Sequence, residues 1–297
     1  MSEIQKVGVV GCGLMGGGIA QVCAQAGYAP VVCELDQAFL DRGMKQIKKN
    51  LDRAVEKGDM TESDRDVVMG RIHPTLQLGD LADSDLIIEA IVENLEEKQD
   101  LFASLDKFCK ATTIFASNTS SLSITELAAG TSRPDRFIGL HFFSPVPVMP
   151  LVEVVRCGGT SEECFNLAFA FSEAIGKSPI ACGDNTGFVV NRLLVPYMLD
   201  AIRAYEAGVA SIPDIDKGLK LGCGYPMGPF TLGDFVGLDT LYHITRIMFD
   251  EYKDARFASP SLLRRMFLAG YHGRKTGKGF YDYSGEEPTV SDFVKLR

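Results

Sequence analysis

His141 closes a short apolar run, Phe137-Ile138-Gly139-Leu140. Glu153 follows it by 12 positions, across a connection that holds Pro145, Pro147 and Pro150. An apolar run of this length reads as a buried strand, which sets His141 at its carboxyl end. The prolines force an extended connection, because each removes a backbone donor. If that connection folds back, it brings the carboxylate to the imidazole. A carboxylate on one ring nitrogen fixes the tautomer and stabilises the imidazolium, leaving the other nitrogen free to take a proton. Such a pair suits the oxidation of an alcohol, in which hydride leaves for a cofactor while a base accepts the hydroxyl proton. Spacing alone leaves a second reading open, a satisfied histidine at a strand end. Glu153, inside Leu151-Val152-Glu153-Val154-Val155, could equally face solvent.

The cofactor implied by that chemistry has its own signature near the start of the chain. A buried strand (Val7, Val9, Val10) runs into Gly11-Cys12-Gly13-Leu14-Met15-Gly16. A helix follows (Ile19, Ala20, Val22, Cys23, Ala26), closes at Gly27, and leads to a second strand (Val31, Val32, Cys33) that ends at Glu34. Gly11 permits the tight turn, Gly13 lets the backbone approach a pyrophosphate, and Gly16 lets the helix pack close to the strand. The helix N-terminus offers unpaired N–H groups to the phosphates. Glu34 stands 23 positions after Gly11, close to the spacing of about 20 for the ribose-binding acid. The segment therefore reads as a dinucleotide site, with contacts from Gly11, Gly13, Leu14, Met15, Gly16 and Glu34. A glycine-rich turn in an ordinary α/β protein is the plainer alternative. A carboxylate at Glu34 repels a 2′-phosphate, so NAD is favoured over NADP.

The rest of the chain supplies the scaffold. Asp36 to Lys57 is a helix whose Leu40, Met44, Ile47, Leu51 and Val55 share one face. Lys45, Lys49, Arg53 and Lys57 form a basic ridge on another face. That ridge is either a solvated helix surface or a landing strip for an anionic substrate tail. Thr61 and Asp64 resemble a capping box for a short helix through Met69. Strands follow at Asp85 to Ile91 and Thr113 to Ser117, with a helix between them, Leu95 to Phe108, that turns Leu101, Phe102, Leu105 and Phe108 inward. Ser123 to Ala129 is a short helix. Leu151 to Val155 is a strand, Thr160 caps a helix through Ile175, and Ser178 to Cys182 is a last strand. Strand and helix alternate, so the fold class is α/β, a doubly wound and mostly parallel Rossmann-type sheet. Near Gly183 the pattern turns helical. Helices are expected at Phe188 to Ala207, at a segment with Pro213 in its first turn, at Leu238 to Tyr252 and at Pro260 to Ala269. The domains are thus 1–183, dinucleotide-binding, and 184–297, all-α. So much apolar helix suggests that part of it is covered by the first domain or by a second subunit.

Composition narrows the class. The chain has 297 residues, 46% apolar and 23% charged, and carries a net charge of −9. Large cores are expected, and an acidic chain argues against a nucleic-acid partner. The eight cysteines contain no C-x-x-C pair and read as small buried hydrophobes in a reducing compartment. The first strand begins by Lys6 and no apolar run approaches the roughly 18 residues of a membrane span, so a soluble cytoplasmic protein without a membrane partner is expected. His73, His243 and His272 have no partner at metal-ligand spacing. Gly273 to Gly279 lacks the Walker pattern and reads as a turn that closes the second domain.

The stretches VGVVGCGLMGGGIA, EAIVENLEEK, ASNTSSLSI, GLHFFSPVPVMPLVEVV, DNTGFVVNRLL, GCGYPMGPFTLGDFVGLD and GRKTGKGFYDY resemble, in order and over nearly the whole chain, the 3-hydroxyacyl-CoA dehydrogenase family in its short two-domain form. That form includes 3-hydroxybutyryl-CoA dehydrogenases. The resemblance implies a catalytic pair that falls on His141 and Glu153. It also implies Ser120 and Asn191 as hydrogen-bond partners of the substrate oxygen, with Asn191 heading the helical domain. It implies cofactor contacts at Glu34, Glu93, Lys98 and Asn118, a reacting carbon in the cleft between domains, and a homodimer formed through the helical domain. The basic ridge becomes a candidate for the coenzyme A phosphates. The implied reaction is reversible, (3S)-3-hydroxyacyl-CoA plus NAD giving 3-ketoacyl-CoA plus NADH.

Three rivals differ in testable ways. Enzymes of the 3-hydroxyisobutyrate and 6-phosphogluconate type use a lysine four residues before the asparagine, where this chain has Gly187. Lambda-crystallin-like relatives share the fold and act on a sugar acid, and activity on acyl-CoA separates them. A non-catalytic NAD-binding protein would bind the cofactor without turnover.

Overall fold

Strand β1 (Val7–Val10) is buried at every residue, as a strand must be when helices cover both faces of its sheet. The computed structural model describes residues 4–295. It adds β2 (Val31–Cys33), β3 (His73–Thr75), β4 (Leu86–Glu89), β5 (Ile114–Ser117), β6 (Phe137–Phe142), β7 (Leu151–Arg156) and β8 (Ser178–Gly183). Spatially they run β3-β2-β1-β4-β5-β6-β7-β8. The strands from β3 to β6 are all parallel. The chain order reverses beside β1, the switch point where ligands bind in open α/β sheets. Helices α1 (Leu14–Gln25), α2 (Gln37–Glu56), α3 (Glu62–Arg71), α4 (Leu95–Asp106), α5 (Ile124–Ala129) and α6 (Glu162–Ala174) connect the strands. Alternate residues feed two cores: Leu86 and Ile88 of β4 belong to one apolar cluster, Ile87 to the other. The mostly parallel Rossmann-type sheet is the one that the alternation of elements predicts.

Alternation does not give the direction of β7. The proline connection reverses the chain, so β7 is antiparallel to β6, and β8 lies parallel to β7. Lys177 holds that reversal. Its buried ammonium donates to the carbonyls of Val146, at 2.5 Å, and Met149, at 3.0 Å. Strand β3 has no signal in the sequence, being three residues with Pro74 at the centre. Proline is tolerated there because β3 is an edge strand. Phe108 is 40% exposed instead of inward, because α4 ends at Asp106 and leaves it in the following turn. Ser161, not Thr160, caps α6 by accepting from the Cys164 amide, while the Thr160 hydroxyl donates to the Phe137 carbonyl.

The chain divides into two compact units, Met1–Phe188 and Val189–Arg297. The second unit packs α7 (Val190–Glu206), α8 (Ile212–Cys223), α9 (Pro229–Val236), α10 (Leu238–Tyr252) and α11 (Ser261–Leu268) around one apolar cluster. It also carries a small antiparallel hairpin, β9 (Tyr281–Asp282) and β10 (Thr289–Val290), which the sequence reading of an all-α unit lacked. Two residues per strand are too few to register as periodicity. Buried Asp234 anchors this hairpin, accepting from the amides of Phe280 and Tyr281 and from the Tyr283 hydroxyl. Gly273 and Gly279 press on it, since a Cβ at either would meet an Asp234 atom within 2.3 Å. The glycine-rich segment is therefore a wrap around one carboxyl.

Burial pushes that carboxyl up from 3.8 to about 6. The folded chain then holds its proton more tightly than the unfolded chain, so this group's contribution to stability falls as pH rises through that window. Asp234→Asn puts an amide among donors and is expected to lower stability by about 1–3 kcal/mol. Thermal melts across the window should show the lower midpoint and the loss of this group's pH dependence.

Candidate active site

The glycine loop leaves β1 at Gly11, whose φ of 95° suits a residue without a side chain. A Cβ on Gly16 would lie 1.9 Å from the Gly11 carbonyl oxygen, whereas a Cβ on Gly13 would meet nothing within 4 Å. Gly16 therefore allows close packing, and Gly13 presents open backbone. No side chain caps α1 at Gly13, so its first-turn amides remain for an anion. Glu34, at the end of β2, is pinned beside this loop. Its Oε2 accepts from the Cys12 amide at 2.7 Å and its Oε1 from the Leu35 amide at 2.9 Å. A cavity of about 540 Å³ opens here, lined by the loop, Glu34, the start of α2 and the end of β4. Leu14, Leu35, Phe39 and Val92 expose apolar side chains on it. Exposed apolar groups, a free helix N-terminus and a fixed carboxylate fit the adenosine half of a dinucleotide. Met15 packs against the core and does not line the cavity.

A buried ionic chain lies at the ends of β4 and β5. Lys98 is 1% exposed, and its ammonium reaches Glu89 Oε1 at 2.5 Å and Glu93 Oε2 at 3.2 Å. Glu89 is fully buried and also accepts from the Ile91 amide and the Ser117 hydroxyl. Glu93 accepts from Thr119 Oγ1, the Ser120 amide and Ser121 Oγ. These contacts hold its carboxyl below the usual range against burial, which opposes them most strongly, with the Lys98 charge as the largest favourable cause. Lys98 is thus buried, with its ammonium held between Glu89 and Glu93. Asn118 is locked from both sides: its amide donates to the Glu89 carbonyl, and its Oδ1 accepts from the Phe142 amide. The Ser120 hydroxyl has no hydrogen-bond partner among the described residues.

His141 lies within β6 and stands directly opposite Glu153 in the antiparallel register. Its Nδ1 is 2.7 Å from Glu153 Oε2, and the two side chains are 8% and 0% exposed. Against a carboxylate Nδ1 is the nitrogen suited to donate, which leaves Nε2 as the one able to exchange a proton. The rings of Phe143 and Phe188 lie 4.6 and 5.6 Å from the imidazole. Phe188 does not begin the helix, as its spacing suggests. Its backbone takes φ 47°, a strained value for an aromatic residue, and α7 starts two residues later.

Asn191 lies in the first turn of α7, in the second unit. Lys45, Lys49, Arg53 and Lys57 are exposed along α2 or its C-cap, and none of them lines the cavity. Sequence reading missed Glu89, Arg42, Phe39 and Lys177. Only Glu89 had a usable signal: an acid inside the apolar run Leu86-Ile87-Ile88-Glu89-Ala90-Ile91 with a lysine nine positions on.

Residues 6–185 match the model of the 3-hydroxyacyl-CoA dehydrogenase NAD-binding domain, and residues 187–283 that of its C-terminal domain. A 3-hydroxybutyryl-CoA dehydrogenase of Mycobacterium tuberculosis is 49% identical over 282 residues, 94% of this chain and 99% of that protein. A probable 3-hydroxybutyryl-CoA dehydrogenase of Deinococcus radiodurans is 49% identical over 278 residues, 94% of this chain and 100% of that protein. The crystal structure of (S)-3-hydroxybutyryl-CoA dehydrogenase from Ralstonia eutropha superposes with a TM-score of 0.92 at 43% identity, covering 95% of this chain and 100% of that one. Among the described residues no helix is long and apolar enough to cross a membrane. The chain therefore belongs to the 3-hydroxyacyl-CoA dehydrogenase family and is an NAD-dependent oxidoreductase acting on the CH–OH group of its substrate.

Proposed function

We propose that the protein interconverts (3S)-3-hydroxybutyryl-CoA and acetoacetyl-CoA, with His141 and Glu153 as the proton-transfer pair. The observation that carries this reading is the buried 2.7 Å contact between His141 Nδ1 and Glu153 Oε2. NAD, when bound, accepts the hydride from C3 of the hydroxyacyl group. In that direction His141 Nε2 takes the hydroxyl proton, and in reverse it returns the proton to the ketone oxygen. Glu153 holds the tautomer and faces the positive charge that forms on the ring. Ser120 and Asn191 hydrogen-bond the reacting oxygen. The Ser120 hydroxyl is uncommitted among the described residues, and its backbone is tied to Glu93. The short acyl chain is supported by the relatives named above.

The experiment is NADH oxidation with acetoacetyl-CoA beside longer 3-ketoacyl-CoA substrates. Fastest turnover with acetoacetyl-CoA is expected. Higher kcat/KM with longer chains would overturn the C4 assignment. NADH binding with silence toward every acyl-CoA would overturn the substrate class and favour a sugar acid or a non-catalytic role.

The same reading places the coenzyme A phosphates on the ridge of Lys45, Lys49, Arg53 and Lys57, none of which has a carboxylate in ion-pair range among the described residues. Charge reversal of Lys45 and Lys49 to Glu should raise KM for acetoacetyl-CoA about tenfold or more and leave KM for NADH close to wild type. An unchanged KM for the acyl-CoA would remove the ridge from the site. A homodimer through the second unit is also part of the reading. It is supported by exposed Leu193, Leu221, Phe235 and Leu268, all more than half exposed. Sedimentation should give twice the chain mass.

A further inference from the structure

Arg42 lines the same cavity as Glu34. Gly43 sets it there. A Cβ at Gly43 would lie 2.1 Å from the Cys12 carbonyl oxygen, so its absence lets α2 rest on the glycine loop and brings the preceding residue to the rim. The Arg42 guanidinium lies 5.4 Å from the Phe39 ring centroid. It has no carboxylate within 4.0 Å among the described residues. Glu34, by contrast, is committed to the amides of Cys12 and Leu35 and so is not Arg42's counter-ion.

We infer that Arg42 is a specificity-determining residue that partly offsets Glu34, so that the selection of NAD over NADP set by Glu34 is weakened by an opposed charge in the same cavity. The inference rests on Glu34 as the ribose-binding acid. A 2′-phosphate on the adenosine ribose meets the fixed carboxylate of Glu34 and is repelled. Glu34 cannot swing aside without breaking two amide contacts. The same phosphate falls within a cavity that holds a bidentate-capable guanidinium with no ion-pair partner among the described residues, the group best suited to phosphate. Selectivity is a difference between affinities and here contains a repulsive and an attractive part. The enzyme is accordingly a leaky NAD enzyme that uses NADPH measurably, and its leak runs through Arg42.

The test measures dissociation constants of NADH and NADPH by fluorescence, without acyl-CoA, in wild type, Arg42→Met, Glu34→Ser and the double variant. Arg42→Met is expected to lower the NADPH-to-NADH affinity ratio roughly 10- to 100-fold, the range of one charge-assisted hydrogen bond. Glu34→Ser is expected to raise that ratio, and the double variant to lose most of the gain. If Arg42→Met changes both affinities alike or neither, Arg42 is not a phosphate partner and the proposal is overturned. If Glu34→Ser leaves NADH affinity unaltered, the reading of Glu34 fails, a result distinguishable from the first because it appears with Arg42 intact.

Discussion

Replacing His141 by glutamine is expected to lower kcat for acetoacetyl-CoA reduction by about 10²–10⁴-fold, the contribution of a positioned general acid–base. Glutamine keeps a hydrogen-bonding group near Glu153 but cannot carry a proton to and from the reacting oxygen. Glu153→Gln should cost nearly as much. An amide in place of the carboxylate can donate to Nδ1, which turns the ring to the tautomer with its hydrogen on Nε2. The nitrogen that should take the proton is then already occupied. The two side chains act as one unit across a pair of antiparallel strands, so their effects should not add. The double variant should fall within a few-fold of His141→Gln alone. Additive losses, measured by steady-state kinetics at saturating NADH, would separate the residues and contradict the pairing.

Lys98→Met is expected to destabilise the first unit by about 3–5 kcal/mol, the usual cost of removing one partner of a buried ionic cluster. Two carboxylates converge on this ammonium, one of them fully buried. Deleting the cation leaves that negative charge without a counter-ion in a dry site. At roughly 2–4 °C per kcal/mol for a unit of this size, the thermal midpoint should drop by about 6–20 °C. The surviving fold should also bind substrates less well, because Glu93 no longer holds Thr119, Ser120 and Ser121 in place. Adding Glu89→Gln to Lys98→Met removes the orphaned charge and should recover part of the lost stability. Differential scanning calorimetry of the single and double variants measures both effects. A single variant that melts within about a degree of wild type would mean that Glu89 is protonated or hydrated and needs no lysine.

Much of the scaffold was legible because its signals are local. The strand around Val9, the glycine turn at Gly11 and the helical stripe of Leu40, Ile47 and Leu51 follow from periodicity and from glycine's backbone freedom. The helix from Leu238 to Tyr252 follows in the same way. What was not legible depends on tertiary contact. The direction of β7 depends on a chain reversal held by Lys177, 26 residues after Leu151. A lysine that caps two loop carbonyls leaves no pattern. β3 and the β9–β10 hairpin are too short to show one. The pairing of His141 with Glu153 was suggested by a connection able to fold back, but their face-to-face register follows only from the antiparallel ladder. The family resemblance implies a cofactor contact at Lys98. Its burial depends on Glu89, whose meaning emerges only when β4 and α4 are brought together.

The most direct test of the His141–Glu153 mechanism is a single-turnover experiment. Wild-type enzyme and His141→Gln, each preloaded with NADH, are mixed with excess acetoacetyl-CoA while NADH is followed. This mechanism predicts rapid oxidation of one NADH per occupied site in the wild type. It predicts an oxidation rate about 10²–10⁴-fold slower in the variant, with NADH still bound at the start. Equal single-turnover rates in the two proteins would contradict it, because hydride transfer would then proceed without the proton that His141 is assigned to deliver.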